Sequence, residues 1–234
     1  MDRKQLLHCV AVRILSIELN HPIRVAIDGV DGSGKTYFAD ELAEELKKYG
    51  RQIIRISVDN FHNSRDIRYQ RGRNSPEGFY LDSYDKESII KNVLQPLGEN
   101  GNLEFKRKIF DVKTDNKIDS PTEKANSKSI LLMDGIFLQR PEFAKKWDLK
   151  IFLDVDFEFT VSRAVKRDGW YLGSEKETAA IYNERYVPGQ KLYFNEAQPK
   201  KWANIVIDNS VFCNPKILKD VCDSGVSSPL PKMC

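Results

Sequence analysis

Residues 29–36 read GVDGSGKT, set between a short strand-like segment, IRVAID (Ile23–Asp28), and a run from Lys35 to Tyr49 with Phe38, Leu42, Leu46 and Tyr49 at helical spacing. A glycine-rich turn of the form GxxxxGK followed by Thr, with a strand before it and a helix after it, constrains this chain more than any other feature. The successive backbone N–H groups of such a turn form a nest for phosphate oxygens, and the helix presents its positive end to the same anion. Gly29, Gly32 and Gly34 allow backbone that a side chain would block, and Asp31 and Ser33 complete the loop. Lys35 reaches the terminal phosphates, and the Thr36 hydroxyl is placed to ligate Mg²⁺. ATP or another nucleoside triphosphate, together with Mg²⁺, is the expected cofactor pair.

Gln52–Val58 (QIIRISV) reads as a second strand, so the first sixty residues already contain a βαβ unit, which needs a parallel sheet and a right-handed crossover. Buried strands follow at Ile130–Met133 and Leu149–Val155, with helical stretches at 141–146, 157–167 and 176–195 and a last strand at Asn204–Ile207. The expected fold class is α/β: a three-layer α/β/α P-loop NTPase fold with a mostly parallel central sheet and a substrate-side insertion. The insertion is placed at 59–128, where Arg, Asn, Gly, Ser and Pro run to Ser83 without a sustained period. A short helix at Glu87–Leu94, one or two strands at Leu103–Val112 and a polar loop at 113–129 follow. Residues 1–217 are expected to form one domain, and 218–234, rich in Ser, Pro, Gly and Lys, a flexible tail.

Lys plus Arg exceeds Asp plus Glu by 37 − 34 = 3, too even a balance to point to a nucleic-acid partner. Apolar runs reach four or five residues where a membrane span needs about 20. The N-terminal Leu6, Leu7, Val10, Ile14 and Ile17 fall at helical spacing and lack the apolar block of a signal peptide. Cys9, Cys213, Cys222 and Cys234 are far apart, form no CxxC pair and have no His at zinc-ligand spacing, so reduced thiols are expected. These features point to a cytoplasmic protein with a small-molecule substrate and no nucleic-acid or membrane partner; a homo-oligomer stays open.

The phosphate loop serves ATPases, GTPases and kinases alike, so the acceptor must be sought elsewhere. Asn116, Lys117 and Asp119 spell NKxD, a guanine-reading motif, but lie in a polar loop without the metal-binding DxxG before them, so the match is taken as chance. Acids at the C-terminal ends of parallel strands sit where ligands bind in open α/β sheets. Asp134 ends ILLMD and is the candidate Mg²⁺ carboxylate. Asp59 follows IRISV and is the candidate that orients an acceptor hydroxyl and takes its proton. Arg163 and Arg167, one helical turn apart, can cover phosphate charge. The four arginines of 65–73, with Tyr69 among them, lack a stacking platform for RNA and suit a loop closing near phosphate or substrate. His62 is the histidine near a proposed acid and is a substrate-side candidate.

VAIDGVDGSGKT, then ISVDNFH, FYLDSYD, LLMDGIF, a helix with SRAVKRD and a late strand ANIVIDN appear in the order and spacing of the landmarks of the uridine kinase and phosphoribulokinase family of P-loop kinases, which the chain resembles from about Ile23 to Asn209. The resemblance implies that Asp59 activates a ribose hydroxyl, that Asp82 binds the ribose, and that Arg163 and Arg167 contact phosphate or substrate. Tyr80 and Tyr84 join the substrate-side candidates. Asp134 stands where uridine kinases usually have Glu. The hairpin that reads the pyrimidine in that family carries Tyr and a His-Ser-Arg run, whereas here it reads FKRKIFDVKTD, and GWYLGS (Gly169–Ser174) replaces the usual Gly-Arg-Asp lid. RYVPGQKLY, from Arg185, resembles a uridine-kinase-like branch, and Phe79, Phe110 and Tyr84 are candidates for an apolar wall beside a base or another small alcohol. The implied activity is ATP-dependent phosphorylation of the primary hydroxyl of uridine or cytidine. The alternatives are a pantothenate-like, ribosyl or sugar acceptor, or a non-catalytic nucleotide-binding module.

Overall fold

The chain opens on helix α1 (Arg3–Leu15), where the Asp2 carboxylate accepts from Gln5 N at 2.8 Å and the Gln5 side chain reaches back to Asp2 N, a capping box. Strand β1 (Ile23–Gly29), helix α2 (Lys35–Lys47) and strand β2 (Ile53–Ser57) follow. A 3₁₀ turn at Val58–Phe61 leads into α3 (Arg65–Arg68), α4 (Pro76–Asp82) and α5 (Lys86–Ile89), which runs on as a widened turn to Leu94. Four two-residue strands come next: β3 (Glu104–Phe105), β4 (Phe110–Asp111), β5 (Asn116–Lys117) and β6 (Glu123–Lys124). The second half holds β7 (Ile130–Gly135), α6 (Pro141–Ala144), β8 (Leu149–Asp154), α7 (Phe157–Leu172) and α8 (Glu175–Ile181). A widened turn at Tyr182–Tyr186 then passes into α9 (Val187–Ala197), α10 (Pro199–Trp202), β9 (Ile205–Asp208) and β10 (Lys216–Asp220). This computed structural model describes residues 1–166 in full, the backbone of 167–172, and residues 174–221. The Arg167 side chain, Gly173 in the segment replacing the lid, and the tail beyond 221 lie outside the described residues.

The sheet order is β10-β9-β8-β1-β7-β2, parallel throughout except for β10, which pairs antiparallel with β9. Register brings the strand ends to one edge: Asp134 pairs with both Ile27 and Ser57, Gly29 with Leu153, and Asp154 with Asp208. Alternation along the strands splits the core into two layers. Val25, Ile27, Leu132, Ile151 and Ile207 face α1 and α2, where Leu6, Val10, Phe38 and Leu42 are fully buried. Ala26, Ile54, Ile56, Leu131 and Met133 face the other way, against Phe61, Phe79, Val93, Phe137 and Tyr193. Each fully buried Leu, Val or Phe of this kind contributes roughly 1.5–3 kcal/mol. The result is the expected three-layer α/β/α arrangement.

The structure differs from the sequence reading in several places. Residues 218–220, expected in a flexible tail, belong to edge strand β10 (Lys216–Asp220), whose mixed sequence KILKD has no alternation to signal its pairing with β9. The stretch from Asp59 to Ser83, read as irregular, contains α4, with Ser75 Oγ accepting from Gly78 N at 3.0 Å and Pro76 in the first turn. The helix expected at 176–195 is divided by the widened turn at Tyr182–Tyr186, just ahead of Pro188, which has no N–H to give to the preceding turn. The polar loop at 113–129 supplies β5 and β6, which pair with β4 and β3, so Asn116 and Lys117 of NKxD lie on an exposed hairpin. Cys213 is free and exposed, whereas Cys9 is disulfide-bonded, so reduced thiols do not describe Cys9. No helix among the described residues is long and apolar enough to cross a membrane.

Candidate active site

The phosphate loop leaves β1 and enters α2 at the shared strand edge. Gly32 and Gly34 have φ of 77° and 87°, which L-residues with a side chain rarely adopt. The loop is also tightly walled: a Cβ on Gly32 would lie 2.9 Å from Thr160 O on α7, and one on Gly34 2.9 Å from Asn209 Nδ2. Asn209, just past β9, donates from that nitrogen to Ser33 O at 2.7 Å. Lys35 is buried and donates to Val30 O at 2.7 Å across the loop. Burial pushes the Lys35 ammonium below its usual range, and Asp31, Asp28, Asp134 and Asp59 pull it back up. Thr36 Oγ1 donates to Asp134 Oδ2 at 2.7 Å, so the two proposed metal-binding residues meet.

These residues fit a nucleotide and its cation. The left-handed glycines form a cradle that side chains would fill, and the Thr36 and Asp134 oxygens are hard donors of the type Mg²⁺ takes. Among the described residues no group of three or more His, Cys, Asp or Glu side chains converges as a cage. A Mg²⁺ ion at Thr36 and Asp134 would be held by one or two protein oxygens, with phosphates and water completing its shell.

Among the residues expected to face an acceptor, Asp59 stands in the 3₁₀ turn just beyond β2, its side chain 64% exposed. Tyr84 OH donates to Asp59 Oδ1 at 3.1 Å, and His62 Nε2 lies 3.5 Å from the same oxygen. Desolvation by the surrounding protein raises the Asp59 carboxyl, but His62, Tyr84 and Lys35 outweigh it and hold the group below the ordinary carboxylate value. Burial and the neighbouring Asp59 push the Tyr84 phenol well above its usual value. Asp59, His62 and Tyr84 are thus brought together, whereas Asp82 is 11% exposed and bound by Arg71 Nε at 2.8 Å. Tyr80 does not face an open cleft: its hydroxyl donates to Glu196, and its ring packs against Phe137 and Tyr193 with the Arg140 guanidinium 4.7 Å from its centroid. The apolar wall is also inside the protein, because Phe79, Phe110 and Tyr84 are 9%, 3% and 4% exposed. Arg163 is exposed and donates to Ser210 O at 2.7 Å, one turn along α7 from Thr160, which walls the phosphate loop.

Several residues that grip the loop went unread in the sequence. Asp28, fully buried at the end of β1, accepts from Gly29 N at 2.7 Å, from Gln139 Nε2 at 3.2 Å and from Tyr193 OH. Desolvation raises its carboxyl from 3.8 to about 6, against the lowering effect of those hydrogen bonds and of Lys35. Asp31 N donates to Gln190 Oε1 at 2.7 Å, and Tyr182 OH donates to Asp31 Oδ2 at 2.6 Å. Arg55 on β2 spans Asp40 Oδ1 at 2.8 Å and Asp134 Oδ1 at 2.7 Å, so the proposed metal carboxylate is oriented from both sides. An acid ending an otherwise apolar strand, as Asp28 does, was the one available signal; Gln190 and Tyr193 sit in the quoted run RYVPGQKLY without a local pattern that reveals their partners.

The same α8–α9 segment reaches the arginine-rich stretch 65–73 and α4. Arg185 is buried and donates to the carbonyls of Arg68, Gly72 and Arg73, with its guanidinium 4.9 Å from the Tyr69 ring centroid. Gly189 lies so close to α4 that a Cβ there would be 2.8 Å from both Phe79 Cδ1 and Pro76 O.

The chain is 24% identical over 190 residues to a uridine kinase of Ligilactobacillus salivarius, covering 80% of this chain and 85% of that protein. It is 26% identical over 190 residues to uridine-cytidine kinase B of Dictyostelium discoideum, covering 80% and 74%. Its fold superposes on a possible uridine kinase from Bacillus stearothermophilus with a TM-score of 0.70 at 21% identity, covering 87% of this chain and 97% of the other. The pattern of the Phosphoribulokinase / Uridine kinase family matches residues 24–212. With the phosphate loop, the paired Thr36 and Asp134, and this match over most of its length, the chain belongs to the phosphoribulokinase and uridine kinase family of P-loop phosphotransferases, which act on alcohol groups.

Proposed function

We propose that this protein transfers the γ-phosphoryl group of ATP, bound with Mg²⁺, to the primary hydroxyl of a nucleoside, uridine or cytidine, giving the 5′-monophosphate. The observation that carries the reading is Asp59, an exposed carboxylate beyond β2 at the strand edge that also bears the phosphate loop, in electrostatic reach of Lys35. In the transfer, the acceptor oxygen bonds to the γ-phosphorus, the bond to the bridging oxygen breaks to leave ADP, and the acceptor proton passes to Asp59. A carboxylate held below its ordinary range suits that role, because a loose transition state asks for orientation of the hydroxyl more than for a strong base. Lys35 covers charge on the transferring group, and Arg163 and Arg167 are assigned to phosphate or substrate.

The buried positions of Phe79, Phe110 and Tyr84 favour a second reading, in which the acceptor is a smaller polar alcohol of the sugar, ribosyl or pantothenate-like type that needs no aromatic wall. Incubating the purified protein with Mg·ATP and a panel of nucleosides, sugars and pantothenate-like alcohols, and measuring acceptor-dependent ADP, separates the two. Turnover with uridine or cytidine supports the first reading, and turnover with the smaller alcohols alone supports the second. ATP binding without acceptor-dependent ADP from any of them would leave a nucleotide-binding module.

A further inference from the structure

His62 has an arrangement that its exposure alone does not explain. Its Nδ1 lies 2.9 Å from Ser83 O, and a carbonyl can only accept, so Nδ1 carries a proton and donates it. Nε2 therefore faces Asp59 Oδ1, 3.5 Å away. At that separation Nε2 and Oδ1 make an ion-pair contact, attractive when Nε2 carries a proton. The ring is held in that pose by stacking on Tyr84, centroids 4.6 Å apart, and by the backbone bridge between residues 62 and 84. Tyr84 OH donates to the same Oδ1 at 3.1 Å. The two contacts converge on one carboxylate oxygen and leave Oδ2 for a ligand.

We propose that His62 is a positioning residue for Asp59: its Nε2–H fixes Oδ1, so that Oδ2 is presented to the acceptor hydroxyl. The inference rests on the reading above, in which Asp59 serves that hydroxyl. In the step itself the acceptor proton moves to Asp59 Oδ2 as the new O–P bond forms, and His62 neither gains nor loses a proton. The charged and titratable groups acting on Asp59 are His62, Tyr84 and Lys35, and Asp31 and Asp134 act in turn on Tyr84. His62 is the strongest of those that hold the Asp59 carboxyl down, so its removal lets the carboxyl rise.

The test uses ¹³C-carboxyl NMR titration of the full chain, with the Asp59 signal identified by its loss in Asp59→Asn. His62→Asn keeps a donor at the Nδ1 position for Ser83 O and deletes the one aimed at Asp59. The Asp59 midpoint is expected to rise in this variant, because the contact that most lowers it is gone. His62→Gln, which restores a donor without the charge, is expected to raise it by less. With Mg·ATP and uridine, the acid limb of the kcat profile should move the same way while KM for Mg·ATP holds. An Asp59 midpoint unmoved in folded His62→Asn, or one that rises as far in His62→Gln as in His62→Asn, overturns the positioning role. Near-normal turnover of Asp59→Asn would instead overturn the assignment of Asp59 itself, whatever His62 does.

Discussion

Asp28→Asn separates the electrostatic cost of the buried carboxylate from its structural use. The folded protein holds the Asp28 carboxyl at about 6 against 3.8 in the unfolded chain, with burial as the leading cause. A shift of that size corresponds to roughly 3 kcal/mol at about 1.36 kcal/mol per unit. The sign follows from which state binds the proton more tightly. Below pH 3.8 the group is neutral folded and unfolded alike, and its contribution is fully present; as pH rises through 6 the folded state must ionise in a dry site, and that contribution is lost. Asn does not titrate. Whatever constant offset Asn introduces by exchanging an acceptor for a donor toward Tyr193 and Gln139, the wild type should lose stability relative to Asp28→Asn between pH 4 and pH 8. Integrating the two titrations gives a relative loss of about 2–2.5 kcal/mol. Asp28 also helps hold the Lys35 ammonium up, so the same pair of curves measured in a Lys35→Met background isolates the titration of Asp28 itself. Urea unfolding midpoints of the two proteins, taken at half-unit steps across that range, measure the gap. Parallel stability curves would refute the reasoning, because they would mean that Asp28 ionises in the folded state as easily as in the unfolded one.

Lys35→Ala should lower kcat/KM by about 10²–10³-fold or more, in line with the loss of one preorganised charge on the transferring group, read by coupled ADP release. Asp59→Asn should lower kcat by about 10²–10⁴-fold with ATP affinity close to wild type by calorimetry, and matched losses in both would argue against an acceptor-side role. Gly34→Ala places a Cβ at φ 87° and 2.9 Å from Asn209 Nδ2, and should cost about 1–2 kcal/mol in thermal unfolding and weaken nucleotide binding. Gly189→Val drives a branched side chain against Phe79 and Pro76 O, and should cost about 1–3 kcal/mol by urea unfolding.

The parts of the molecule legible beforehand are those whose signal is local. GVDGSGKT fixes the loop because glycine suits φ of 77° and 87°; ILLMD is a buried apolar run that stops at an acid, and IRISV alternates buried Ile and Val with Arg55 and Ser57 before Asp59, so Asp59 and Asp134 could be placed at a strand edge. The pairing of Thr36 with Asp134 follows from that edge. What escaped depends on partners far away in the chain. Tyr80 looks like a substrate residue in FYLDSYD until Glu196, 116 positions on, takes its hydroxyl. Phe79 and Phe110 look like a wall until other segments cover them. Gln190 and Tyr193 reveal their work at Asp31 and Asp28 only once α9 is laid beside the loop, 159 and 165 residues away in sequence. Strand β10 could not be read at all, since an edge strand of mixed polarity looks like a tail until its neighbour is known.

The α8–α9 segment constrains how an enzyme of this design can be retargeted. Sliding α4 to admit a bulkier acceptor would press on Gly189, and Gly189 shares its helix with Gln190 and Tyr193, the partners of Asp31 and Asp28. A change of acceptor made at that helix would therefore be felt as a change in nucleotide affinity. The small hairpins of 104–124 are anchored through Asn60 and Asn92 and touch the phosphate side through Arg107, which donates to Arg55 O, so substitutions there that spare Arg107 can reshape the hairpins with least effect on the grip on the phosphate loop. Directed evolution toward new alcohols should accumulate its tolerated changes in those hairpins and reject them along Arg185–Tyr193.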